Sequence, residues 1–151
     1  MEERNYPLRP HICGLFFYVK EKEDHMDFTE SLRKNKDFQY VYRKGRSCVN
    51  KYLVMYIAEN QTEGNRLGIS VSKKVGNSVV RHHLKRLIRE SYRLNENSFV
   101  RGLDIVVVAR ASAKDRSYRE IESALLHLGR IHKILEEMSH SNGEEIINRN
   151  D

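Results

Sequence analysis

The sequence predicts a small α/β (α+β) two-layer sandwich, helices packed on a four-stranded sheet, in the order α-β-β-β-α-β-α. Three observations carry that expectation. The segment "SCVNKYLVMYIAEN", Ser47 to Asn60, alternates as a strand does, with Tyr52, Val54 and Tyr56 on one side and Leu53, Met55 and Ile57 on the other. "GLDIVVVARA", Gly102 to Ala111, is the continuous apolar run of a buried strand. Stretches before, between and after these two space their apolar residues as helices do.

The chain reads in order as follows. Asn35 is expected to cap a short helix over "KDFQYVYRKG", which Gly45 ends. Phe38, Val41 and Tyr42 fall at i, i+3 and i+4 and share one face of it. The long alternating segment is expected to split at a bend around Val49 to Lys51. "ENQTEGN" is a turn by composition, and "RLGISVSKK", Arg66 to Lys74, is a second strand stretch. Gly76-Asn77-Ser78 supplies a break and a cap before a basic helix, Ser78 to Leu94. Asp115-Arg116-Ser117 precedes a last helix, Tyr118 to Met138, with Ile121, Leu125, Leu128, Ile131 and Leu135 near helical spacing. No internal repeat and no coiled-coil heptad is present.

A length of 151 residues fits one domain with a real core, and 39% hydrophobic content excludes a wholly disordered chain. Residues 1–25 differ from the rest: they hold both prolines, a short apolar patch and a charged run. They read as an N-terminal extension ahead of a domain at 26–138, or alternatively as a strand or docking tail. An acidic, flexible tail is expected over 139–151. The apolar patch "ICGLFFYV" is too short for a membrane span and lacks a small-residue cleavage site. Cys13 and Cys48 lie far apart with no CxxC pattern, as reduced cytosolic thiols do. A cytoplasmic location is expected.

Charge is the strongest functional signal. "SKKVGNSVVRHHLKRLIRESYR", Ser72 to Arg93, holds seven Lys or Arg against one acid, Glu90, in a chain of net charge +6. On a helical wheel Val80, Leu84, Leu87 and Ile88 form the arc that must bury. Arg81, Lys85, Arg89 and Arg93 follow at i+4 steps beside it, with His82 and Arg86 next to them. Like charges at that spacing repel, and a merely solvated face would interleave acids to offset them. With Lys73 and Lys74 just upstream, a polyphosphate partner explains the pattern better. Phe38, Tyr42 and Tyr56 fit two readings: core packing, or a shallow cleft where unpaired bases stack.

No protein-borne catalytic set is legible. His82 and His83 diverge on a helix, and His127 and His132 are five apart, poor for one helix face. There is no HExxH, GxSxG or phosphate-loop motif. Asp104 and Asp115 stand isolated in the sequence.

The segment "GISVSKKVGNSVVRHHLKRLIRESYR" resembles the signature region of the protein subunit of bacterial ribonuclease P. "NKDFQYVYRKGRS" and "DIVVVARASA" match the same family in order and spacing, so the resemblance spans about Met26 to Met138. It implies a left-handed crossover between parallel strands, where the general rule favours the right hand. It also implies a ribonucleoprotein endoribonuclease that removes the 5′ leader of precursor transfer RNA. The RNA subunit then carries catalysis and most of the Mg²⁺, and the protein supplies no catalytic or metal-ligating residue. The implied partners are the catalytic RNA and the leader-bearing precursor, with no membrane and no obligate protein partner. By position Phe38, Tyr42 and Tyr56 resemble the family's leader cleft. Arg81, His82, His83, Lys85, Arg86 and Arg89 resemble its RNA-binding helix, and Lys73 and Lys74 the Lys pair before it. The chain departs from the family's Arg-Asn-Arg motif at His82 and His83, and imidazole carries no fixed charge near pH 7. The alternative from another class is a non-enzymatic RNA-binding module. A DNA-binding helix-turn-helix fits less well, because strands flank the basic helix.

Overall fold

A strand of three residues, Thr29–Ser31 (β1), opens the fold of the computed structural model, which describes residues 26–136. The expected N-terminal extension and acidic tail lie outside those residues. Helix α1 follows at Asn35–Lys44, then β2 at Arg46–Val49, β3 at Leu53–Glu59 and β4 at Asn65–Val71. Helix α2 runs Ser78–Leu94, β5 is Leu103–Ala109, and α3 is Tyr118–His132. The sheet order is β1-β4-β5-β3-β2. The strands β1, β4 and β5 are mutually parallel, while β3 runs antiparallel to β5 and β2 antiparallel to β3. Since β4 and β5 are parallel neighbours, the chain crosses over between them through α2, as the resemblance implies.

The sheet therefore has five strands, not the four expected. β1 has no apolar alternation to announce it; contacts made far along the chain hold it in place. The buried Glu96 carboxylate accepts hydrogen bonds from Asp27 N (2.8 Å) and Phe28 N (3.2 Å). Thr29 Oγ1 lies 3.1 Å from the buried Tyr92 hydroxyl, which also accepts from Asn65 Nδ2. Burial pushes the Tyr92 phenol above its ordinary range, so it stays protonated.

Strand alternation divides the core in two. Leu53, Met55 and Ile57 of β3 and Ile105 and Val107 of β5 face α2 and α3, where they meet Leu84, Ile88, Tyr92, Leu125 and Leu128. Truncating one such buried Leu or Ile to Ala removes about 2–5 kcal/mol. Val106 faces the other way, into a smaller cluster with Leu32 and Val41 beneath α1. The expected split of the long strand segment occurs at Asn50, whose Oδ1 accepts from Tyr52 N and Leu53 N.

The helix boundaries follow local chemistry. Asn77 caps α2 as expected, accepting from Val80 N at 3.0 Å. Lys34, not Asn35, occupies the cap position of α1, with no side-chain cap bond. Gly45 ends α1 in extended backbone, and space explains the glycine: a Cβ would lie 2.5 Å from Val41 O and 2.7 Å from Ile57 O. Ser117 and Glu120 form a capping box on α3. That helix stops at His132, short of the expected Met138. Lys133 turns left-handed (φ 58°), and Leu135 folds back over Gly129 and bridges to Phe99.

Candidate nucleic-acid interface

Phe38 and Tyr42 project one helical turn apart from α1, and Tyr56 rises from β3 on the same side of the sheet. The structure brings all three together. The Phe38 and Tyr42 centroids are 6.3 Å apart with tilted rings, and Tyr42 meets Tyr56 edge to face at 5.0 Å. All three are half-buried, so each keeps surface open to a ligand while its base is anchored on Val41 and Val106. Each ring is thus part core and part open surface.

The floor comes from strand register. Tyr56 pairs across with Val106, and Val106 with Gly68, forming the row beneath the rings. Gly68 is what lets Phe38 descend: a Cβ there would lie 2.7 Å from two Phe38 ring atoms. The next row, Val54–Val108–Ser70, is half-exposed, and Val49 beyond it is 58% exposed. The apolar surface therefore continues toward the sheet end where β4 leaves for Lys73 and Lys74. On the other side, Arg66 Nε donates to Asp104 Oδ1 at 2.8 Å, and Arg66 Nη1 lies 3.4 Å from Asp37 Oδ2 on α1. The bond to Asp104 raises the Arg66 pKa further, keeping the guanidinium charged. Asp104, isolated in sequence, is paired in space and also accepts from Asn60 Nδ2.

The helix α2 packs on the opposite side of the sheet. α2 buries Leu84, Ile88, Ser91 and Tyr92, while Val80 and Leu87, expected in the buried arc, are only half-buried. Lys73, Lys74, His82, His83, Arg86 and Arg89 are exposed, and Arg81 and Lys85 half-exposed. None of these side chains forms an ion pair with a described residue. Arg93 differs: it pairs with Glu90, so it leaves the free basic arc expected from the wheel. His82 and His83 border an open groove with Ser78, Val79 and Arg86. Arg81 Nε is buried without a partner.

The family model for Ribonuclease P matches residues 26–133. The chain belongs to the ribonuclease P protein family. A ribonuclease P protein component from Lachnoclostridium phytofermentans is 61% identical over 107 residues, covering 71% of this chain and 92% of its own. One from Alkaliphilus metalliredigens is 56% identical over 110 residues, covering 73% and 99%. The solved ribonuclease P protein of Staphylococcus aureus matches with a TM-score of 0.65 at 42% identity, over 70% of this chain and 97% of that one. The one from Thermotoga maritima matches at 0.62 and 35%, over 67% and 96%. The chain is thus the protein component of a ribonucleoprotein endoribonuclease, which works with an RNA subunit to remove the 5′ leader of precursor transfer RNA. Among the described residues no helix is long and apolar enough to cross a membrane.

Sequence reasoning missed Gly68 and Arg66 as contributors to the aromatic face. A glycine inside a strand pattern is itself a signal of close approach, and could have flagged Gly68. Nothing local marks Arg66, whose partner Asp104 is 38 residues away.

Proposed function

We propose that the Phe38–Tyr42–Tyr56 face grips the single-stranded leader, and that the cations of α2, with Lys73 and Lys74, hold the catalytic RNA. The half-exposed aromatic trio above an uncovered apolar row carries the first part. Such a surface stacks successive unpaired bases with little sequence demand. The unpaired cations of α2 support the second, because arginine forks match phosphate oxygens and a structural face would be neutralised. His82 and His83 stand exposed within this face, able to hydrogen-bond RNA. The two ligands meet opposite sides of one sheet, so binding one leaves the other's surface free.

Mg²⁺ belongs to this reading as an ion held by RNA. Among the described residues no group of three or more His, Cys, Asp or Glu comes together, and the buried Asp104 is already engaged. The described residues therefore offer no cluster for Mg²⁺, and in this reading the protein's part is binding and placement.

Reconstitution tests the proposal. Mixed with its RNA subunit at low Mg²⁺, the protein should stimulate 5′ maturation over RNA alone. Phe38→Ala with Tyr42→Ala should then weaken binding of leader-bearing precursor about tenfold or more, and mature transfer RNA far less. Equal losses for both RNAs would return the rings to a purely structural role.

A further inference from the structure

Tyr52 lies outside the aromatic face just described. It follows the turn between β2 and β3, and its inner side packs against the core shared with α3. Lys51 Nζ lies 5.5 Å from its ring centroid and Arg116 Cζ 5.6 Å. The ring opens on a groove whose far wall is α3, including Arg119, Ser123 and His127.

Three features make this a built surface. First, the turn is pinned from several sides. Asn50 Nδ2 donates to Ala124 O at 2.8 Å, Arg110 Nη1 to Asn50 O at 2.7 Å, and Ser112 Oγ donates to Lys51 O. Tyr52 and Lys51 are thereby presented rigidly. Second, Lys51, Arg110, Lys114 and Arg119 are exposed and pair with no carboxylate among the described residues. The acid beside the groove, Glu120, is committed to the α3 cap, where it accepts from Ser117 N at 2.8 Å and meets Arg116. Third, the surface is continuous with α2. One groove is shared between Val79 and His83 of α2, the Lys114–Ser117 connection and Glu120, and Glu120 also borders the Tyr52 groove.

We infer that this end of the molecule is a second RNA-binding surface, where Tyr52 stacks an unpaired base of the catalytic RNA while Lys51 and Arg119 hold the flanking phosphates. The catalytic RNA is the occupant because the surface extends the α2 face and lies away from the Phe38 cluster. The inference rests on α2 facing that RNA. Base stacking on a tyrosine beside cations, with a polyanion neutralising unpaired Lys and Arg, is the recognition chemistry involved.

Titration of the full-length protein with the catalytic RNA across a salt series tests it, with Arg86→Gln as a parallel control. Lys51→Gln with Arg119→Gln should lower affinity about tenfold near physiological salt and reduce the slope of log K against log salt by about two units. Tyr52→Ala should lose about tenfold and Tyr52→Phe little, the phenylalanine variant guarding against a folding defect. A benzophenone side chain at Ser123 should crosslink to the catalytic RNA in the holoenzyme. Unchanged affinity and slope for the Lys51 and Arg119 variant would overturn the inference. If Arg86→Gln still weakens binding, the α2 reading survives; if it too has no effect, both fall. Crosslinking to precursor transfer RNA alone would also overturn it, by assigning the surface to the other RNA.

Discussion

Gly68 shows how much of the aromatic face depends on a missing side chain. Its absent Cβ leaves the space into which Phe38 settles, and Leu32 Cδ2 stands only 3.1 Å from the same point. Gly68→Ala is expected to lift the Phe38 ring and cost about 1–3 kcal/mol by overpacking. Affinity for leader-bearing precursor should fall severalfold, with affinity for the catalytic RNA unchanged, as paired binding titrations would show. His132 offers a second single-residue outcome. Its Nε2 lies 3.0 Å from Met55 O, and burial pushes the imidazole below its ordinary range, with Arg46 adding to the effect. The unfolded chain, with a histidine pKa of about 6.5, therefore takes up the proton first as pH falls. Stability contributed by neutral His132 is present above that pH and lost below it. Urea unfolding should show a lower midpoint at pH 5.5 than at pH 7.5, and His132→Gln should shrink that difference. The aromatic trio was legible because helix and strand periods place such side chains directly; the bond between His132 and Met55 spans 77 residues and leaves no local trace.

α1 is short, and its stance over the sheet is set by few contacts: Val41 at its base, Phe38 over Gly68, and the link from Asp37 through Arg66 to Asp104. Arg66 is 35% exposed while Asp104 is 1% exposed, so solvent screens one partner and not the other. Arg66→Gln is expected to cost about 2 kcal/mol, less than the ~3–5 of a wholly buried pair. It should also blunt discrimination between precursors with long and short leaders, because α1 carries two of the three rings. Arg66→Lys should restore part of both, as denaturant melts and single-turnover cleavage would report. At this scale the sequence was a good guide at Asn77 and Ser117, whose side chains cap their helices, but not at Asn35, where Lys34 takes the cap position. It misled where a boundary is tertiary. Leu135 has helical spacing from Ile131, yet packs against the helix end instead. β1 exists because Glu96, Tyr92 and Asn65 receive it, and nothing within "TES" says so.

Over the whole molecule, the sheet separates the aromatic face beneath α1 from the cations of α2. Replacing Arg86 and Arg89 with Ala should flatten the salt dependence of catalytic-RNA binding by about one unit of slope per lost phosphate contact. An unchanged slope would make α2 a solvated face. The domain and its charge polarity were readable from composition and period, while the fifth strand and the side of the sheet each helix takes required long-range contacts. The alternation along β5 carries a consequence for inheritance. Val106 supports the aromatic face and Val107 the core beneath α2, though they are adjacent in the chain. A library of substitutions through this strand should sort into two alternating classes of defect, one in choosing substrates and one in assembling with the RNA subunit. Selection could then retune the first with every second codon while leaving the second untouched.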